Sequence, residues 1–435
     1  MAYTLPKHID SNKIFLVNKK DIEGSFHPEY YNYGRTQIIN KLKSLHKIER
    51  LCDVANFSRE ITTNINDGVY IGLENIESNT GDYISTDTKQ SISSANVFAK
   101  NSILFPKLRP YLNKVYFADL NGICSTEFMV INAHKLLPEF LAIYLRSNII
   151  LSQTVHMMTG NTLPRLQTED IYNLPVPILS KDKQQQIIDL YNTAYNQKKA
   201  KEQQAKELLS SIDDYLLNEL GITLPNIDNS LPSRIFIVNS KEISNSRFDP
   251  KCVLFLGHKM KSCIYDNIQL KDITFIRKGS AITSNEIDIN GIYPVIAGGQ
   301  TSPYNHNKYN YKGNVITISA SGAYAGYVWY HKNPIFASDC SVIYSKEENS
   351  FCTRYIFEVL KAQQNHIYLL QTGAGQPHVY PDDLAKLWIP IVTLEKQKEI
   401  ADHITEIRQK AKQLQEEAKQ LLQQTKTEIE QMILE

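Results

Sequence analysis

Lys107, Arg109, Tyr111, Asn113 and Lys114 stand in one short stretch, K-L-R-P-Y-L-N-K, which interleaves cations with an aromatic ring and an amide. Asn161 and Arg165 lie further on, in G-N-T-L-P-R. A second set begins at Gly298-Gly299-Gln300-Thr301-Ser302 and runs through Tyr304, Asn305, His306 and Lys308. Lysine and arginine suit phosphate oxygens, while Arg, Asn, Gln and Ser hydrogen-bond base edges, so the chemistry these residues offer is nucleic-acid contact rather than bond making. Ordinary solvated polarity is the competing account for each of them, and fewer than half are expected to touch a ligand.

Bond-making chemistry finds little support. The chain has no N-P-P-Y-type motif with a glycine-rich cofactor loop, no G-x-x-x-x-G-K-[ST] phosphate loop and no H-E-x-x-H metal pair. Asp67 with Asp87-Thr88-Lys89 gives only a loose nuclease-like spacing. The six cysteines are scattered without a C-x-x-C pair, which argues against zinc and against a disulfide framework and fits free thiols in a reducing compartment. No catalytic or metal-binding residue is therefore expected, and no cofactor in this chain.

The elements that must position these residues come in two sets. I-F-L-V-N-K-K-D-I-E-G-S-F-H-P, opening at Ile14, recurs as I-F-I-V-N-S-K-E-I-S-N-S-R-F-D-P, opening at Ile235. P-R-L-Q-T-E-D-I-Y-N-L-P-V-P-I-L, from Pro164, recurs as P-H-V-Y-P-D-D-L-A-K-L-W-I-P-I-V, from Pro377. Each closing match runs into Lys-Gln, at Lys183-Gln184 and Lys396-Gln397, with Ile187 and Ile400 three residues later. Matches at both ends in the same order establish a long internal repeat. The middles diverge: Y-I-G-L-E-N-I and F-P-K-L-R-P-Y-L in one, Y-P-V-I-A-G-G-Q and I-T-I-S-A-S-G-A-Y-A-G-Y in the other. Both read as short β-branched runs broken by turn residues, with helical segments near 136–148 and 352–364, so each half is expected to be α+β with mostly antiparallel strands.

Each half ends in a long helical pattern. Between Glu395 and Glu435 there is no Gly or Pro, and Ile400, Ile404, Ile407, Ala411, Leu414, Ala418 and Leu421 step by four and three. The stretch from 183 to 220 repeats this less cleanly through Ile187, Tyr191, Leu208 and Ile212, interrupted by Lys198 and Lys201, and stops at Gly221. Ile187, Tyr191, Leu208, Ile212, Ile400, Ile404, Ile407, Leu414 and Leu421 are the expected coiled-coil core. The chain order domain, helix, domain, helix favours an antiparallel pair formed within the chain.

At 435 residues and 42% hydrophobic the chain has material for two or three packed cores, and its net charge of +1 hides any local patch. No stretch approaches the ~18 apolar residues of a membrane span and no signal-like apolar region opens the chain, so a cytoplasmic protein with no membrane partner is expected.

With these matched frames and helices the chain resembles the specificity subunit of type I restriction-modification systems. The resemblance rests on Phe26-His27-Pro28 and Phe248-Asp249-Pro250, on G-A-G-Q-P from Gly373 to Pro377, on L-x-I-P from Leu387 to Pro390 and on the Gln397-x-x-Ile400 helix opening. In the first half G-N-T-L-P replaces the glycine-rich form, while Leu174-Pro175-Val176-Pro177 is kept. The resemblance implies two target-recognition domains, 1–180 and 222–392, and two conserved helices, 181–221 and 393–435. It implies a pseudo-two-fold molecule with the domains separated by an antiparallel coiled coil and reading a split double-stranded DNA site, with strands that fold back to bring Ser319, Ser321, Tyr324, Gln376 and His378 near the Gly298–Lys308 set. It also implies docking of two adenine-N6 methyltransferase subunits, which hold S-adenosylmethionine, and of restriction subunits, which hold ATP and magnesium. A scaffold whose duplicated domains bind something other than DNA is the alternative.

Overall fold

The computed structural model describes residues 5–435 apart from 7, 11–12, 18, 20–21, 23–26, 64–68, 87–92, 161, 225–229, 231–234, 236, 238–260, 289 and 374. Asn161, Phe26, Phe248-Asp249-Pro250, Asp67 and Asp87-Thr88-Lys89 therefore lie outside the described residues, as does most of the second copy of the opening match. The chain divides into two compact units, one of Met1–Lys201 with Glu416–Glu435 and one of Glu202–Gln415.

In the first unit the strands are β1 (Ile48–Arg50), β2 (Ala55–Ser58), β3 (Ile61–Thr62), β4 (Tyr70–Ile71), β5 (Ala95–Phe98), β6 (Ile103–Pro106), β7 (Tyr116–Phe117), β8 (Gly122–Cys124), β9 (Phe128–Ala133) and β10 (Pro175–Pro177). They form an antiparallel β1-β10 pair and two four-stranded sheets, β2-β9-β6-β7 and β3-β5-β8-β4. In the second unit β11 (Asn267–Gln269), β12 (Thr274–Lys278), β13 (Tyr293–Ile296), β14 (Asn305–His306), β15 (Val315–Ser319), β16 (Val328–His331), β17 (Phe336–Ala337), β18 (Cys340–Ser345) and β19 (Trp388–Pro390) repeat the plan. Their sheets are β11-β19, β12-β18-β15-β16 and β14-β13-β17. Pairing is antiparallel except for β4 with β8 and β13 with β17, which occupy corresponding places. Ser125 donates its N–H to Ile71, and Ser338 does the same to Ile296, which puts the dissimilar Y-I-G-L and Y-P-V-I-A-G segments at one position of the fold. The α+β repeat expected from sequence is present in both units.

Apolar residues in the strands and in the helices Pro138–Leu145 and Thr353–Ala362 supply the cores, with Tyr144 and Tyr355, one turn apart in the helix frame, both wholly buried. Each of these tyrosines donates its hydroxyl to a proline carbonyl of the closing strand, Pro175 at 2.6 Å and Pro390 at 2.9 Å. Burying a phenol without such a partner is costly, so the pair fixes how helix meets strand.

The two long helices run Lys181–Glu219 and Leu394–Leu434, the first about 58 Å long at 1.5 Å per residue. In the second unit Glu219 pairs with Lys396 and Tyr215 packs on His403, so the helices are antiparallel there. In the first unit Lys201 pairs with Glu417 at 2.6 Å, and Ile187, Ile188 and Tyr191 share a core with Leu422, Ile429 and Ile433. Lys198 and Lys201, which interrupt the apolar pattern, are accommodated by carboxylates: Asp82 lies 3.6 Å from the buried Lys198.

The expected seam needs correction in detail. Ile187, Tyr191, Ile212, Ile400 and Ile404 are buried, whereas Leu208, Ile407, Leu414 and Leu421 are only half-buried. Ala418, Leu422, Thr425, Ile429 and Ile433 form the buried stripe at the end of the second helix. The mean step there exceeds 3.5 residues, as an unsupercoiled helix requires, so a strict heptad extrapolated from Ile400 drifts off the buried face.

Both helix openings carry a buried glutamine. Gln184 accepts from the Leu137 N–H and donates to the Leu179 carbonyl, each at 2.8 Å. Gln397 accepts from the Cys352 N–H at 2.7 Å and donates to the Val392 and Ser350 carbonyls, each at 3.0 Å. Leu137 and Cys352 directly precede the domain helices, so each amide satisfies a backbone group that helix geometry leaves unpaired. Replacing Gln397 with Met strands these groups in the core, at roughly 2 kcal/mol. The thermal midpoint is expected to fall by about 4–8 °C, measured by differential scanning calorimetry.

Candidate nucleic-acid interface

The loops that follow β6 and β15 occupy the same place in the two units. Lys107 donates its N–H to Glu127, and its carbonyl accepts from Leu166; Ala320 makes the matching bonds with Asp339 and Val379. Arg109 donates to the Pro164 carbonyl at 2.8 Å, and Gly322 donates to Pro377 at 3.0 Å. Arg165 bridges both Leu108 and Thr159, while His378 bridges both Ser321 and Thr372. Arg165 and His378 are thus structural counterparts, as are Tyr111 and Tyr324.

Local backbone chemistry explains the shape. Arg109 and Gly322 both take the left-handed conformation, with φ of 49° and 88°. Glycine adopts it freely, while arginine does so at a cost, here held by the bond to Pro164. Gly160 and Gly373 turn the facing loop with φ of 93° and 103°. A Cβ on Gly373 would stand 2.6 Å from the Gln376 carbonyl oxygen.

In the first unit this register brings together Lys107, Arg109, Tyr111 and Arg165, with Arg109 and Tyr111 exposed and Lys107 half-buried. The Arg165 guanidinium bonds Glu127 at 2.5 Å. Asn113 and Lys114 do not belong with them. Asn113 is 5% exposed, and its amide donates to the Arg146 carbonyl at 2.9 Å. Lys114 donates to the Leu73 carbonyl at 2.8 Å. The three-residue 3-10 turn Pro110–Leu112 reverses the chain between Tyr111 and Asn113, which is why nearness in sequence misled there.

In the second unit Ser321, Gln376 and His378 gather, with Gln376 donating to the Ser321 hydroxyl at 3.5 Å. The Gly298-Gly299-Gln300 turn joins them, since a Cβ on Gly298 would meet the Ser321 carbonyl. Gln300 donates to the Tyr368 hydroxyl at 3.3 Å, and Ser319 donates to the Ala297 and Gly299 carbonyls. Tyr324 is exposed on the same loop. Tyr304, Asn305 and Lys308 lie instead on or beside β14, which pairs with β13; Tyr304 and Lys308 are exposed. Ser302 turns its hydroxyl to the Val295 carbonyl at 2.9 Å and serves the turn that leads to β14.

Two residues at this surface escaped sequence reasoning. Glu127 and Asp339 occupy equivalent positions just before β9 and β18. The Ser321 hydroxyl donates to Asp339 as Arg165 does to Glu127. Each directly precedes the strand that pairs with the loop-bearing strand, β9 with β6 and β18 with β15, a relation readable only once the strand register is known.

Nearby thiols do not point to catalysis. Burial pushes Cys124 and Cys340 up to about 12, so both stay protonated at neutral pH and are poor nucleophiles and metal ligands. Among the described residues no cluster of three His, Cys, Asp or Glu side chains could hold a metal ion. No helix there is long and apolar enough to cross a membrane.

Each of the two α+β units presents a polar loop pair of different contents on the same hydrogen-bonded frame. The family model described as "Type I restriction modification DNA specificity domain" matches residues 40–210 and 265–424, and the chain belongs to that family. It is 28% identical over 123 residues to the EcoDI specificity subunit of Escherichia coli, covering 28% of each chain. It is 25% identical over 252 residues to a putative type I specificity subunit of Mycoplasma pneumoniae, covering 57% of this chain and 80% of that one. The match thus spans under a third of the Escherichia coli relative. A chain solved in a study of complex assembly and conformational transition of the type I R-M system superposes with a TM-score of 0.53 at 19% identity. That superposition covers 89% of this chain and 96% of the other.

The left-handed turn at Gly373 gives a direct check on the loop frame. Gly373→Ala is expected to destabilise the second unit by about 1–2 kcal/mol and to speed amide exchange at Thr372 and His378, read by hydrogen–deuterium exchange.

Proposed function

We propose that the chain is a sequence-reading subunit of a type I restriction-modification complex. Its two loop surfaces bind the two halves of a split, asymmetric double-stranded DNA site. The observation that carries this is the pair of equivalent loops: the same backbone hydrogen bonds hold Lys107, Arg109 and Arg165 in one unit and Ser321, Gln376 and His378 in the other. A shared frame with different polar contents is what two readers of different sequences need. The cationic set suits phosphates and guanine edges, and the Gln, Ser and His set suits base edges.

Residues 1–180 and 222–392 are the target-recognition domains, and 181–221 and 393–435 the helices that dock two methyltransferase subunits. Methyl transfer from S-adenosylmethionine belongs to those partners, and ATP- and magnesium-dependent steps to restriction subunits, so this chain itself catalyses nothing. Such a complex works where the DNA lies, in the cytoplasm. Gln300, Tyr304, Asn305, Lys308, Tyr324 and Asn161 complete the proposed contact set.

Arg109→Ala with Arg165→Ala tests the reading in the complex with the co-encoded methyltransferase. Loss of phosphate contacts should weaken binding to the methylated-site duplex about ten- to hundredfold and flatten the slope of log affinity against log salt by about one to two. Unchanged affinity and slope in fluorescence anisotropy would contradict it and favour a protein scaffold.

A further inference from the structure

Glu127 and Asp339 present a problem for a surface that meets DNA. Both project from the residue whose own carbonyl accepts the first N–H of the recognition loop, so both sit at the floor of that loop. Their neighbours differ: Lys107, Arg109 and Arg165 stand in one unit where Ala320, Gly322 and His378 stand in the other. The carboxylate recurs all the same. In the free chain each is engaged by a donor, Arg165 of the facing loop at 2.5 Å on Glu127 and the Ser321 hydroxyl on Asp339. Arg165 and Glu127 are partly exposed, with side-chain exposures of 49% and 27%, so a phosphate can compete for the guanidinium.

A carboxylate left beside DNA is repelled by phosphates and by the acceptor edges of guanine and thymine. It is stabilised there only by a donor, and the major groove offers two exocyclic ones, the N4 amino group of cytosine and the N6 amino group of adenine. We propose that Glu127 and Asp339 are specificity-determining residues. Each requires an amino-bearing base, cytosine or adenine, at one position of its own half-site, and in the free chain each holds that donor in reserve. This rests on the reading of the loops as DNA-binding surfaces. The carboxylates add little affinity; their effect is the rejection of guanine and thymine at one base position, since a buried or crowded acceptor facing an acceptor is left unpaired.

The test uses the complex of the full chain with its methyltransferase. The probe is the duplex site mapped by methylome sequencing, together with a panel in which each base pair of each half-site is replaced in turn. For Glu127→Gln, whose amide both donates and accepts, discrimination at one base pair of one half-site should fall from tenfold or more to within about threefold. The other half-site should be read as before. Asp339→Asn should do the reverse. Glu127→Ala, which lacks any acceptor, should relax the same base pair and serves if the glutamine variant fails to fold. A uniform shift across the panel, which charge removal alone would give, overturns the inference, and so does an unchanged panel. The Arg109→Ala, Arg165→Ala variant separates the two levels. If it weakens every duplex while Glu127→Gln leaves discrimination intact, the carboxylate role fails and the loop surface stands. If it changes nothing, the loop surface fails and takes the carboxylate role with it.

Discussion

One buried side-chain amide at the start of each long helix ties three elements together. Gln184 and Gln397, 2% and 0% exposed, join the residue before a domain helix, the second residue after a closing strand and the long helix itself. A buried amide with unmatched donors or acceptors is unfavourable, so the geometry tolerates only small deviations. The Tyr144 and Tyr355 hydroxyls add a second tie between domain helix and closing strand in their units. Everything that distinguishes the two units hangs from this frame. The strand β10 or β19 is set by it, the Thr159–Leu166 and Thr372–Val379 loops lead into that strand, and these loops hold the loops after β6 and β15.

That arrangement separates the packed frame from the contents of the loops. The frame is hydrogen-bonded through backbone groups and a few buried side chains, none of which needs a particular residue at the loop surface. Arg109 and Gly322 can therefore replace one another at a left-handed position, and Arg165 and His378 at a doubly bridged one. Loop contents can change without loss of the core, which lets one fold present Lys107, Arg109 and Arg165 in one unit and Ser321, Gln376 and His378 in the other.

Much of the frame was legible from the chain because its signals are local or periodic. The Lys-Gln openings, the closing Pro-rich strands and the long Gly- and Pro-free helices each carry their own pattern. The contents of the site were less so. Lys107, Arg109, Tyr111 and Arg165 come together as the paired loops demand, but Asn113 turns inward to the Arg146 carbonyl because a 3-10 turn intervenes. Glu127 and Asp339 went unnoticed because their neighbours across the sheet are distant in sequence and set by strand register. The heptad extrapolation failed for the same kind of reason: Leu421 and Leu422 exchange places once the helix is allowed its natural 3.6-residue turn.

The most direct measurement of the central claim is the genome-wide map of methylated adenines in cells carrying this chain with its methyltransferase, compared with cells lacking it. Two readers with different loop contents should produce a bipartite motif with unlike halves and a fixed unspecified spacer, lost when the chain is deleted. A palindromic or continuous motif, or a map that is the same without the chain, would contradict it.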